Sequence, residues 1–210
     1  AALLLPLGPL GGSLSFRGDV ILLLYLLALA RFATAWAALE TGSAFEGMGT
    51  AREVSFAVLA EATLISAVLA LSVQSGSASL HALLTPAAGG GAALLAVGLF
   101  LVLLAENCRV PFDDPNTHLE LTMIHEVMVL DHGGPDFAFV LWGSAIKLFL
   151  FGSLLYHVVV PPPAASLLAA TLRFCGGQIG VAILVGVVES AVARFRLPRV
   201  PQFLIGAVVI

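Results

Sequence analysis

The sequence predicts an all-α integral membrane protein, a multi-span helical bundle, and three observations carry that reading. First, 60% of the 210 residues are hydrophobic and only 10% are charged, with a mean hydropathy of +1.06. A soluble domain carries charge on roughly a quarter of its residues. Second, the apolar residues gather in runs long enough to cross a bilayer, which takes about 20 residues of helix. Third, the charges are confined to short segments between those runs, so the formal net charge of -4 says little about partners. Nucleic acid is not an expected partner.

Taken in order, complete spans are expected at residues 20–39, 54–73, about 86–105, 137–160 and 172–192. The start of the third is blurred by Gly89, Gly90 and Gly91, which weaken a helix but are commoner in membrane helices than in soluble ones. Pro161, Pro162 and Pro163 cannot continue a helix and mark a loop after the fourth span. A sixth span begins near Gln202. The nine residues from Gln202 to Ile210 rise only about 13 Å as helix, and the chain opens inside another apolar run. Both ends are therefore expected to cut through membrane segments of a longer polypeptide, with residues 1–210 forming one membrane domain. No internal or inverted repeat is evident, which tells against the commonest secondary-transporter architectures.

Among the connections, Arg52, Arg109, Arg194, Arg196 and Arg199 fall on one side, against Arg17 and Arg173 on the other. The positive-inside rule makes the first side cytoplasmic. The connections after the first, third and fifth spans should then form one cytoplasmic surface, and the expected location is a prokaryotic cytoplasmic membrane.

Four charges lie within expected spans: Arg31, Glu61, Lys147 and Glu189. A charge at a helix centre costs about 2.5 to 3.5 kcal/mol on insertion scales, so such groups face a protein interior or a wet cavity and often line ion paths. Each can also be read as a helix–helix anchor or as a side chain snorkelling to the interface. Glu61 and Lys147 are read here as a buried polar path.

Residues 105–136 concentrate seven of the thirteen carboxylates and three of the five histidines. The stretch 106–136 reads as an acidic cytoplasmic loop followed by a helix. Pro111 and Pro115 interrupt its first part, while Asn116 is a suitable N-cap for a helix running to the turn signal Gly133, Gly134, Pro135. On that helix His118, His125 and His132 would share a face at seven-residue spacing. A metal site is not expected: His125 and Glu126 begin like H-E-x-x-H, but position 129 is Val, and histidines seven apart on a helix stand about 10 Å apart. Cys108 and Cys175 form no C-x-x-C pair, so the chain's thiols alone build neither a zinc site nor an iron–sulfur cluster. The G-x-S-x-G nucleophile pattern is absent, and no catalytic residue is assigned. What remains is a cluster of carboxylates and imidazoles whose proton affinities are coupled, able to relay protons or sense a nearby charge. Unit charges 4 Å apart interact by about 4 kcal/mol at an effective dielectric of 20, nearly three pKa units.

The run Glu106-Asn107-Cys108-Arg109-Val110-Pro111-Phe112-Asp113, with Pro115, Glu120 and Leu121, resembles the signature E-x-x-R-x-P-F-D-x-P-E-x-E-x-E-L. That signature belongs to the membrane subunit of complex I, the NADH-quinone oxidoreductase, that forms the quinone chamber and is known as its subunit 1. Gly49-Thr50-Ala51-Arg52-Glu53 with Glu61, and Ala193-Arg194-Phe195-Arg196-Leu197-Pro198-Arg199, are similar to two further segments of that family. The finer pattern departs from complex I. Asn116 and His118 stand where Glu is typical, and the stretch from Thr122 to His132 looks more like the homologous membrane subunit of group 4 nickel-iron hydrogenases, known as formate hydrogenlyase subunit 4. Ala62 stands where Pro often follows the Glu in those relatives.

The resemblance implies about eight transmembrane helices in the full protein. It also implies a partner arm carrying iron–sulfur clusters and, in the hydrogenase branch, a nickel-iron centre, together with antiporter-like membrane subunits. This chain itself is expected to bind no cofactor, and the loss of the two acidic positions counts against a bound quinone. The expected role is a non-catalytic anchor and ion-coupling subunit for protons or sodium. Glu106, Asp113, Glu120 and Glu126, with Arg109 as counter-charge, would form the junction with the arm, and Glu61, Lys147 and Glu189 would carry the path inward. Arg52, Glu53, Arg194, Arg196 and Arg199 are the expected contact surface for the arm. The rival readings are a complex I quinone-chamber subunit, a transporter or channel acting alone, and a purely structural anchor.

Overall fold

Gly18, held at φ 95°, turns the chain into the first helix, α1 (Asp19–Glu40). In the computed structural model the described residues are 4–5, 14–84, 91–113, 124–160, 166–193 and 200–209. The Asp19 carboxylate is buried and accepts the backbone N–H of Leu80, which fastens the start of α1 to the short helix α3 (Leu80–Leu83). Between them runs α2 (Ala44–Ser75), closed by Gly76 in the left-handed conformation that favours glycine. Only residues 41–43 separate α1 from α2, so the two helices are antiparallel.

The remaining elements are α4 (Gly91–Glu106), a 3-10 turn at Glu126–Val129, α5 (Gly134–Val159), α6 (Leu167–Ala191) and α7 (Val200–Val209). Pro135 sits in the first turn of α5, where its missing N–H costs nothing. Buried side chains from six helices meet in one core: Leu23, Leu64, Leu103, Leu154, Val185 and Leu204 are among them. α4 lies at its centre, packed against α2, α5 and α7. Between α5 and α6 the approach is set by glycine. A Cβ on Gly177 would lie 2.3 Å from the Tyr156 ring, and one on Gly152 would lie 2.6 Å from Gln178 Oε1. Small residues at such contacts let membrane helices pack through backbone proximity.

Among the described residues, four helices, α1, α2, α5 and α6, are long and apolar enough to cross a membrane. Their outer faces carry large exposed apolar side chains, such as Phe32, Trp36, Trp142, Leu168 and Ile183. In water such a surface would be untenable; in lipid it is the ordinary outside of a span. Several expected bounds are corrected. α2 starts ten residues before residue 54, so Arg52 and Glu53 lie on a helix rather than in a connection. α6 starts at Leu167, five residues before residue 172, so Arg173 lies inside its second turn rather than in a connection. α4 has 16 residues and rises about 24 Å, short of a hydrocarbon core of about 30 Å. The expected backward extension of this span toward residue 86 lies outside the described residues.

The helix expected from Asn116 to Gly133 is a further correction. Residues 114–123 lie outside the described residues, and from Ile124 to Gly133 the chain forms only the 3-10 turn. Two buried carboxylates compete for the backbone donors there. Asp113 Oδ2 accepts the N–H groups of Ile124 and His125 at 2.9 and 3.1 Å, and Glu46 Oε1 accepts that of Asp131 at 3.0 Å. His125 and His132 therefore do not share the face of one helix.

Candidate ion-pair belt

The centre of the site is the last residue of α4. The side chain of Glu106 is 2% exposed, and its two oxygens face two cations from different helices. Arg31 of α1 donates from Nη2 to Oε1, and Lys147 Nζ of α5 lies 2.9 Å from Oε2. Arg31 also donates from Nη1 to Glu61 of α2. Glu61, Arg31, Glu106 and Lys147 thus form one belt across four helices. Two positive and two negative charges cancel, which is how such groups persist away from water: removing one partner from a buried pair is far costlier than the pair itself.

The turn after α4 is built to present this carboxylate. Arg109 N–H reaches Leu104 O at 2.9 Å and Cys108 N–H reaches Ala105 O at 3.2 Å, the paired bonds of a Schellman ending. The left-handed position, usually glycine, is Cys108 at φ 48°. Its sulfur turns inward, 3.6 Å from Glu53 Oε2. Burial, with Glu53 adding to it, pushes the Cys108 thiol well above its ordinary value. The Val110–Pro111 peptide is cis, and Asp113 follows at the edge of a small cavity that Glu53 and Glu106 also line.

Beyond the belt, Arg109 Nη1 donates to Glu189 of α6 at 3.3 Å. Arg109 is the expected counter-charge to the junction carboxylates, but the cations beside Glu106 are Arg31 and Lys147. The Arg109–Glu189 pair lies apart and joins the turn after α4 to the end of α6. Glu126 is half-buried at the start of the 3-10 turn. His125 faces Ser144 of α5 at 3.3 Å, and burial lowers its proton affinity. Glu120, Arg194, Arg196, Arg199 and His118 lie outside the described residues. Arg52 is half-buried, and Glu53 points inward to Cys108.

Two participants escape sequence reasoning. Arg31 is visible there as a charge within its span but is not assigned to the path; its signal is a charge in the middle of an otherwise apolar run. Glu46 carries no such signal. It is fully buried, accepts Thr41 Oγ1 and Asp131 N–H, and lies 3.6 Å from His132 Nδ1. Position alone makes it look like an acid in an exposed connection.

The family model NADHdh, NADH dehydrogenase, matches residues 1–210. The chain belongs to the NADH dehydrogenase family. Among its relatives, Hydrogenase-4 component C of Escherichia coli (strain K12) is 30% identical over 190 residues, covering 85% of this chain and 59% of that protein. Formate hydrogenlyase subunit 4 of the same organism is 28% identical over 212 residues, covering 94% of this chain and 67% of the relative. The chain thus spans about three fifths to two thirds of the length of these curated relatives. In structure it is similar to a chain of the membrane-bound sulfane sulfur reductase (MBS), an archaeal respiratory membrane complex, with a TM-score of 0.82 and 21% identity. The match covers 99% of this chain and 72% of that one, and at this identity it shows a common fold. Family and fold agree with the motif reading, and the hydrogenase-type relatives agree with the finer pattern around His125 to His132.

Proposed function

We propose that this chain is a membrane subunit of a complex I-like redox complex, of the hydrogenase type, in which it couples electron transfer in a peripheral arm to proton or sodium movement. The single observation that carries the reading is the belt Glu61–Arg31–Glu106–Lys147, a neutral set of four charges held among apolar helices. An anchor alone has no use for four charges there, and each one dehydrated without a partner would be costly. In such a belt, shifting one cation away from Glu106 raises that carboxylate's affinity for a proton.

The belt lies just beneath the turn that follows α4, so a displacement of residues 107–109 by an arm would reach Glu106 through the backbone. The hydrogenase-type relatives favour an arm with iron–sulfur clusters and a nickel-iron centre over a flavin-bearing one. The test is purification of the complex through a tag on the full-length protein in mild detergent, followed by mass spectrometry and metal analysis. Nickel and iron with a hydrogenase large subunit are expected. Iron and flavin without nickel would move the protein to the complex I branch, and recovery of this protein alone would favour a transporter acting by itself.

A further inference from the structure

The sequence places Glu53 among the contacts for the arm, and the structure turns it the other way. It is half-buried on α2, about two turns before Glu61. Its Oε2 accepts the Cys108 thiol, whose sulfur lies 3.6 Å away. With Glu106, Cys108 and Asp113 it borders the small cavity of about 20 Å³ beneath the turn after α4, whose remaining wall is apolar and includes Phe112 and Leu204. Glu53 thus belongs to the interior that leads to the belt.

A second observation sets it apart from its neighbours. Glu106 has two cations, Arg31 and Lys147, and Glu189 has Arg109. Asp113 accepts the backbone N–H groups of Ile124 and His125. Glu53 forms no ion pair among the described residues and accepts the thiol alone, a weak donor. Arg52, next to it on α2, points Nη2 at Met48 Sδ, 2.9 Å away. Three carboxylates bordering one small space repel one another when all are ionised. Two of them are held by cations or by N–H donors, so the proton that relieves the repulsion goes to Glu53. It is also the least enclosed of the three, since Glu106 and Asp113 are buried.

We infer that Glu53 takes up and releases a proton during turnover, as the member of the ion path nearest the turn after α4, and is not a contact for the arm. This rests on the reading of the belt as an ion path and adds to it the group at its loop end. Uptake adds one proton to a carboxylate oxygen and moves no electron. The groups that feel the change come from every side: Arg31 on α1, Glu106 at the end of α4, Cys108 and Asp113 in the turn, and His125 beside the 3-10 turn. Arg31 is the link to the belt, because the charges acting on it are those of Glu106 and Glu61, its partners there, and of Glu53 outside it. Neutralising Glu53 removes one of three pulls on that guanidinium and so shifts the balance around Glu106.

The test uses the assembled complex in sealed vesicles. Infrared difference spectra are recorded between its oxidised and reduced states, and ion movement is measured alongside electron transfer. The wild type is expected to show a carboxylic C=O band that Glu53→Gln abolishes, and the ratio of ions moved to electrons transferred is expected to fall in that variant. Glu53→Asp keeps an acid at the position and is expected to retain a band at a shifted frequency. Cys108→Gly suits the left-handed turn and removes the S–H, so the band is expected to move to higher frequency as its hydrogen bond is lost. A spectrum that neither Glu53→Gln nor Glu53→Asp changes would overturn the proposal. So would loss of the arm from the membrane in Glu53→Gln with no shift of a C=O band in Glu53→Asp, since Glu53 would then be a contact for the arm. Glu106→Gln separates the two readings. Ion movement lost in Glu106→Gln, with the spectrum untouched by Glu53→Gln, would sink the role of Glu53 alone; an unchanged ratio in Glu106→Gln, with the Glu53 band present, would sink the coupling reading of the belt alone.

Discussion

Glu106 carries the structure's densest electrostatic load: one carboxylate, 2% exposed, shared by a guanidinium and an ammonium. Its place at the head of a motif is legible in the sequence, but its partners are not. Arg109 is three residues away and is the natural counter-charge, yet the Schellman turn at Cys108 swings it toward Glu189 and leaves the carboxylate to Arg31 and Lys147. Glu61 and Lys147 are legible because an ionisable group in an apolar run needs a reason. Glu46 is not, because nothing local distinguishes a carboxylate that folds inward onto Asp131 from one in water. His125 makes a pH prediction. Burial holds its proton affinity below the usual imidazole value of about 6.5, so the folded state refuses a proton that the unfolded chain accepts. Stability is therefore full above about pH 6.5, falls as pH drops from there toward the folded value, and levels off below it. Thermal unfolding in detergent at neutral and mildly acidic pH is expected to show this loss, and His125→Gln is expected to flatten it.

At the scale of elements, the apolar runs locate the long helices among the described residues, because the length needed to cross lipid is a strong constraint. The bounds are poorer where polar residues continue a helix, as at the start of α2, since helical backbone does not require apolar side chains once the segment leaves the lipid. Over residues 124–133 the expected helix fails for a different reason: carboxylates at Asp113 and Glu46, outside that stretch, take its backbone donors. Gly49 then admits the segment, since a Cβ there would lie 2.2 Å from Val127 Cγ1 and 3.0 Å from Ile124 O. The contact between α5 and α6 gives an internally controlled prediction. Gly177→Ala drives a methyl into the Tyr156 ring and is expected to cost about 1 to 3 kcal/mol, the range for overpacking. Gly176→Ala, where nothing lies within 4 Å, is expected to be neutral or mildly stabilising, since alanine is the better helix former. Equal effects in denaturant or thermal unfolding would mean that these helices do not pack through Gly177.

At the scale of the whole molecule, the segment after α4 is tied to two other helices: Asp131 to Glu46 near the start of α2, and Arg109 to Glu189 near the end of α6. That end of the bundle sits above the belt. A redox arm docked there would therefore sit at the head of a column of charges leading into the membrane. Were the belt only a fastening between helices, neutralising one member would weaken the assembly without separating its two activities. The measurement that decides is made on the intact complex in sealed vesicles, with redox turnover and ion movement recorded together for the wild type and for Glu106→Gln, which keeps the side chain's shape and removes its charge. Turnover retained with ion movement lost is the expected result; an unchanged ratio of ions moved to electrons transferred would contradict the coupling role of the belt.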